Sequence, residues 1–157
     1  MDVTEVAALL AAQEKTVSVA EACTCGLVGY MLSTVPGSSR FFPGGVIAYT
    51  GGLKQKVLGV PDELYQEKGS VSPEVAVAMA RGVRDLTGTD FAISTTGVAG
   101  PTGGRSGLPI GTFYIGLAGP EGVEIAERIQ ADAGDRDGNK RQAAQAALDL
   151  LGRHLRG

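Results

Sequence analysis

Two thiols, a hydroxyl and a carboxylate fall within Glu21-Ala22-Cys23-Thr24-Cys25, where a β-branched run turns into helical spacing. A thiol near a helix N-terminus can titrate below its usual range and act as a nucleophile, because the helix field favours the thiolate. Cys25 stands in that place; an inert small side chain is the other reading of it. Cys23 reads as a buried small hydrophobe at a strand end. Thr24 is placed as the N-cap of the helix resuming at Leu27, whose first free N–H groups would face an anion at the end of the strand. A tight strand–helix corner packed with small residues accounts for the same stretch without chemistry.

Two more loops could contribute: Tyr49 to Lys54, and Thr95 to Gly104. The glycines of the second could form a nest of backbone N–H groups for an anion, or simply a surface turn. It is not a phosphate loop of the Walker type, since Ala99 stands where the first Gly is required and Arg105 where the Lys is, and it lacks the G-x-G-x-x-G order. On spacing alone Lys54 is a solvated helix charge. Lys140 and Arg141 fall in the first turns of the last helix, where they oppose its dipole. They read either as contacts to a phosphate or as a solvated face.

The elements that must position these groups follow from periodicity. Residues 3 to 14 place Val3, Val6 and Leu10 on one helical face, and Thr16 to Ala20 read as the first strand. Leu27 to Leu32 continue as a helix until Val35-Pro36-Gly37 breaks it, and Gly44 to Tyr49 form a second strand. Leu53 to Leu58 and Pro61 to Gln66 read as short helical pieces. Ser72-Pro73 opens a helix with Val75, Met79, Val83 and Leu86 inward, stopped by Gly88. Phe91 to Thr95 is the third strand. Ile110 to Leu117 and Val123 to Ile129 read as an antiparallel pair, before a last helix from about Asp135 to Leu155. Alternating helices and strands with a terminal hairpin predict a three-layer α/β/α sandwich on a mixed sheet of about five strands, with the three loops meeting at one edge.

The chain has 157 residues, 43% hydrophobic and 20% charged, with a net charge of −3 and 24 glycines. That length bounds it to one domain, residues 1–157. No basic run or aromatic ladder favours a nucleic-acid partner. No stretch has the length to span a bilayer, and the start lacks a basic export signal, so the cytoplasm is the expected compartment. The single histidine, His154, argues against His-based triads and multi-His metal sites, and favours the C-terminal end of the last helix dipole. Cys23 and Cys25 flank one residue, a poor disulfide spacing and too few thiols for a closed zinc site.

Several motifs in one order carry a resemblance. They are Ala20-Glu21-x-Cys23-Thr24-x-Gly26-Leu27, Val35-Pro36-Gly37-Ser38-Ser39, Gly44-Gly45-Val46-Ile47-Ala48-Tyr49 and Leu58-Gly59-Val60. Gly69-x-Val71-Ser72-x-Glu74, Thr96-Gly97-Val98-Ala99-Gly100-Pro101-x-Gly103-Gly104, Pro109-Ile110-Gly111-Thr112 and Gly134-Asp135-Arg136 complete them. From about residue 3 to its end the chain resembles the C-terminal domain of the competence/damage-inducible CinA family, also found as a stand-alone nicotinamide-nucleotide amidohydrolase. Longer members carry a further N-terminal domain.

The resemblance implies an anticodon-binding-domain-like α/β/α fold, with no cofactor and no metal. It also implies a pyridine mononucleotide as the partner, and homo-oligomers as a further expectation. The implied reaction converts nicotinamide mononucleotide (NMN) to nicotinate mononucleotide and ammonia in pyridine-nucleotide salvage. By position Lys54 matches the family base, Tyr49 the preceding tyrosine and Thr24 the family threonine. Glu21, Cys23, Gly26, Gly45, Thr96, Gly97, Ala99 and Gly100 are the implied substrate contacts, to which the helix position of Lys140 and Arg141 adds two candidates for the phosphate. The family serine nucleophile corresponds to Ala22, which has no nucleophilic atom; Cys25 is the candidate substitute, with an inert small side chain as the other reading of it. Gly51-Gly52 replace a usual Asn-Glu, and Leu108 a common Lys. Two functions follow: an amidohydrolase of this kind, or a non-catalytic nucleotide-binding or competence- and damage-associated interaction module.

Overall fold

All five residues of β1 (Val17–Glu21) are buried, which makes it a central strand. In the computed structural model, which describes residues 1–157, β2 (Gly44–Ile47) and β3 (Phe91–Gly97) flank it, both parallel to it. β4 (Thr112–Ala118) pairs antiparallel with β3, and β5 (Glu124–Gln130) antiparallel with β4. The mixed five-stranded sheet therefore has the order β2-β1-β3-β4-β5.

Helices cover both faces. α1 (Val3–Ala12), α2 (Leu27–Ser33) and α6 (Arg136–Arg156) pack together on one. On the other, α5 (Pro73–Thr87) crosses β1, β3, β4 and β5, with α4 (Asp62–Lys68) beside it and α3 (Gly51–Lys56) beside α4. The larger core lies under α1, α2 and α6, around Leu10, Leu32, Phe113, Leu148 and Leu151. The smaller joins Ala20, Val75, Met79, Val83 and Ala92 beneath α5. Burying a large aliphatic or aromatic side chain removes about 1.5–3 kcal/mol of water contact apiece, so these two layers hold the sheet between them.

Local signals set most boundaries. The side chain of Asp2 accepts from the Thr4 N–H, Ser72 from Val75 and Asp135 from Gly138, capping α1, α5 and α6. Gly88, at φ +68°, ends α5. Several details differ from the periodicity, β2 ending at Ile47 short of Tyr49 and α3 opening at Gly51 ahead of Leu53 among them. α1 stops at Ala12 because Glu14 turns to φ +54°. Leu86 is exposed, being one turn beyond the edge of the smaller core. Pro61 caps α4 instead of entering its first turn. The hairpin begins at Thr112, since Gly111 takes φ +89°. His154, in the last turn of α6, meets the Phe91 ring edge-on at 5.5 Å. No helix is long and apolar enough to cross a membrane.

Candidate functional site

The three parallel strands finish at one edge of the sheet, β1 at Glu21, β2 at Ile47 and β3 at Gly97. Ligands of open α/β sheets bind at such carboxyl ends. The corner after β1, however, is closed from within. Glu21 is 1% exposed, and its carboxylate accepts from the backbone N–H groups of Gly26 (2.9 Å), Val28 (3.1 Å) and Gly29 (2.8 Å). The Thr24 hydroxyl donates to the same carboxylate at 2.6 Å and shares a 2.6 Å hydrogen bond with the Thr95 hydroxyl. The reading of Thr24 as N-cap is therefore corrected: Gly26, at φ +98°, occupies that position and Glu21 supplies the acceptor. A glutamate six residues before the first residue of the helix reaches further than a threonine, so it satisfies three orphan donors at once. No N–H of α2's first turn is left facing an external anion by this arrangement.

What remains open is a pocket of about 280 Å³ beside the corner. Ala22 and Cys23 line it from the first loop, Tyr49 and Lys54 from the second, and Thr96, Gly97, Ala99 and Gly100 from the third. Residue 22 is held by its backbone, with its N–H on the Thr95 carbonyl at 3.0 Å and its carbonyl taking the Cys25 N–H at 3.1 Å. Lys54 is only 3% exposed, at the middle of α3, and its Nζ lies 3.5 Å from the Thr96 hydroxyl. Burial pushes the Lys54 ammonium below its ordinary range, opposed by the neighbouring Cys23. Burial also pushes the Cys23 thiol up to about 12, outweighing the pull of Lys54, so Cys23 is protonated and inert near neutral pH.

The other implied contacts lie elsewhere. Glu21, Thr24 and Gly26 belong to the sealed corner. Gly45 sits opposite Val19 in the β1–β2 ladder, where a Cβ would run into the Val19 carbonyl, so its glycine serves strand pairing. Cys25 is exposed at φ +52°, in a shallow depression with Tyr30, Asp137 and Lys140, away from the Lys54 pocket. Arg141 is paired with Asp137 at 2.8 Å on the exposed face of α6.

The cation that α6 does send to the pocket is Arg136. Its guanidinium donates to the Gly100 carbonyl at 2.7 Å and to the Tyr49 hydroxyl at 2.9 Å, tying the second and third loops together. Side chains in a helix lean toward its N-terminus, so the first residue of α6 reaches past the helix start while Lys140 lies a turn behind. Arg105, Ser70 and Val71 also line the pocket without having been assigned from sequence. The signals were the Gly134-Asp135-Arg136 and Gly69-x-Val71 motifs, which place loops but give no direction to a side chain. No group of three or more His, Cys, Asp or Glu residues is placed to hold a metal ion.

A family model described as the CinA C-terminal domain matches residues 2–155. The chain belongs to the CinA C-terminal domain family. Among curated relatives, a putative competence-damage inducible protein of Moorella thermoacetica is 47% identical over 149 residues, 95% of this chain and 36% of that protein. A CinA-like protein of Synechocystis is 48% identical over 153 residues, 96% of this chain and 36% of its own. The chain thus spans about a third of the length of these CinA-like relatives. Among solved structures, a CinA superfamily protein from Klebsiella pneumoniae superposes with a TM-score of 0.94 at 31% identity, covering 98% of this chain and 95% of that one. A competence/damage-inducible protein from Agrobacterium tumefaciens gives 0.90 at 29% identity, over 100% and 97% of the two chains. The α/β/α architecture is that of the CinA superfamily.

Proposed function

We propose that the Lys54 pocket binds a pyridine mononucleotide and that this chain recognises its ligand without forming a covalent intermediate at residue 22. The observation that carries this reading is the composition of the pocket: three cationic side chains, Lys54, Arg105 and Arg136, with no carboxylate among the lining residues. Such a wall suits a phosphate-bearing ligand. The half-exposed Tyr49 ring, its hydroxyl fixed by Arg136, offers a flat surface for a heteroaromatic ring. Ala22 stands where the family resemblance puts a serine, and neither thiol replaces it: Cys23 is protonated and Cys25 is outside the pocket.

Hydrolysis is the second reading, favoured by Lys54. An amine pushed down by burial can be neutral enough to take a proton from a nucleophile. With a hydroxyl at residue 22, that oxygen would attack the carboxamide carbon as its proton passed to Lys54. Lys54 would then protonate the departing ammonia, and water would release the acid. Calorimetry with NMN and with nicotinate mononucleotide tests the binding reading, which predicts saturable heat with at least one of them. No heat with either, from protein with a folded circular dichroism spectrum, removes it. Ammonia release from NMN by the native chain, above a no-protein control, would move the function to hydrolysis.

A further inference from the structure

The sheet ends in β2 on one side and β5 on the other, and an edge strand is a template for a further strand unless charge, proline or a bulge blunts it. β5 is blunted. Glu124, Glu127 and Arg128 fall on it, and Glu124 is tied to Arg81 at 2.7 Å and Glu127 to Arg153 at 2.6 Å. β2 has no such guard: from Phe41 to Leu53 the chain carries no charged residue, and the proline there, Pro43, stands before the strand. The Ala48 N–H donates to the Glu21 carbonyl at 2.8 Å, which fixes the alternation of the strand. Val46 therefore turns its backbone groups to β1, while Gly45 and Ile47, both exposed, turn theirs to the open side. The side chains beside that edge are apolar as well. Ile47 is 50% exposed and borders a groove of about 310 Å³ with Phe42 and with Tyr30, which is 66% exposed on α2. The carboxylate of that groove, Glu21, is spent inside the corner.

We propose that β2 is an interface and that its occupant is β2 of a second copy of this chain, paired antiparallel about a two-fold axis at Val46. In that register Gly45 of each copy lies opposite Ile47 of the other, and each such pair exchanges both its N–H···O bonds. The side chains fit the same register. Ile47 of one copy comes to lie over Gly45 of the other, where no side chain stands in its way, and enters the groove edged by Phe42 and Tyr30. At a two-fold axis a surface meets itself, so any charge on it meets its own sign. β2 brings none there, although the whole chain stands at −3. A free peptide is the poorer occupant, because Gly45 and Ile47 alone offer it backbone bonds. A second copy adds the exposed Tyr30 and Ile47 from both sides, and burying such apolar surface is what holds a dimer together. The pairing joins the two sheets into one, edge to edge, whatever the Lys54 pocket binds.

The test is sedimentation equilibrium across a dilution series, on the native chain and on Ile47→Lys, which puts on the edge the charge that β2 lacks. The native chain is expected at twice its mass of 16.0 kDa, and Ile47→Lys at the single mass with an unchanged circular dichroism spectrum. Amide exchange read by NMR locates the contact. At Gly45 and Ile47 it should slow by about tenfold or more from dilute to concentrated protein, since protection by association grows with concentration over Kd. A single chain at every concentration, or a mass above two chains, overturns the closed pair. A dimer that Ile47→Lys leaves intact, or exchange at Gly45 and Ile47 that ignores concentration, overturns β2 as its interface. Should Ile47→Lys fail to fold, the native mass and the exchange at those amides decide by themselves.

Discussion

Restoring a hydroxyl at residue 22 is the sharpest probe of the site. Ala22→Ser adds one oxygen to a side chain that is 4% exposed and faces the pocket. The backbone there is fixed by hydrogen bonds to Thr95 and Cys25, which the substitution leaves alone. The new hydroxyl costs about 1–3 kcal/mol of stability if it finds no partner, and less if it meets Lys54 or pocket water. A positioned general base is worth about 10²–10⁴ in rate, so Ala22→Ser should release ammonia from NMN at least about a hundredfold faster than the native chain. Lys54→Ala in that background should abolish the gain, because an unactivated hydroxyl is a poor nucleophile near neutral pH. Gly52→Glu is a useful addition: a Cβ at Gly52 meets nothing within 4 Å. An Asn at Gly51 is not, since its Cβ would run into the Tyr65 ring and hydroxyl. The assay is coupled ammonia detection beside calorimetry. If Ala22→Ser binds NMN as the native chain does yet turns over nothing, with or without Gly52→Glu, the placing of the nucleophile at residue 22 is wrong.

Glu21→Gln should destabilise the chain by about 2–4 kcal/mol, because one amide oxygen cannot serve four donors and the amide NH₂ opposes the rest. Urea denaturation reads this directly, and a loss below about 0.5 kcal/mol, the level of an ordinary surface change, would refute the capping role. Iodoacetamide at mildly alkaline pH should label Cys25 alone in the native state and both thiols after unfolding, since Cys23 is buried with its pKa near 12. Mass spectrometry of the intact chain counts the labels; native labelling of Cys23 would contradict its burial. Lys54 has a folded pKa below its unfolded value of 10.5. Between the two the unfolded chain binds the extra proton, so Lys54 contributes a stability that increases with pH across that alkaline window. Lys54→Met should flatten that rise, and an unchanged slope in denaturant midpoints against pH would refute the shift.

The fold was legible because its signals are local and repeated. β1 and β3 are buried through most of their length and read as apolar or small-residue runs, while Ser72, Asp135 and Gly88 mark helix ends chemically. The site was legible only in part. Ala22, Cys23, Tyr49, Lys54 and the Thr96–Gly100 loop meet in one pocket because they follow the carboxyl ends of parallel strands, which topology brings together. The reach of long side chains was not legible. Nothing in the order of residues says that Glu21 folds back onto α2, or that Arg136, not Lys140, spans to Gly100. Cys25 misled for a related reason: one residue separates it from Cys23, but its left-handed backbone turns it to another face.

The internal seal made by Glu21 has a consequence for how this protein can change over time. Because the corner's electrostatic demands are met by a buried carboxylate and by main-chain bonds, the side chain at residue 22 makes none of the hydrogen bonds that hold it. A lineage can therefore delete or reinstate the reactive atom there with little disturbance of architecture. Loss of turnover need not lead to loss of the protein: the bonds that shape the corner and the three cations of the pocket stay in place. Scaffolds with this separation between the groups that build a corner and the group that reacts at it are well suited to passing from enzyme to receptor, and back, by single substitutions.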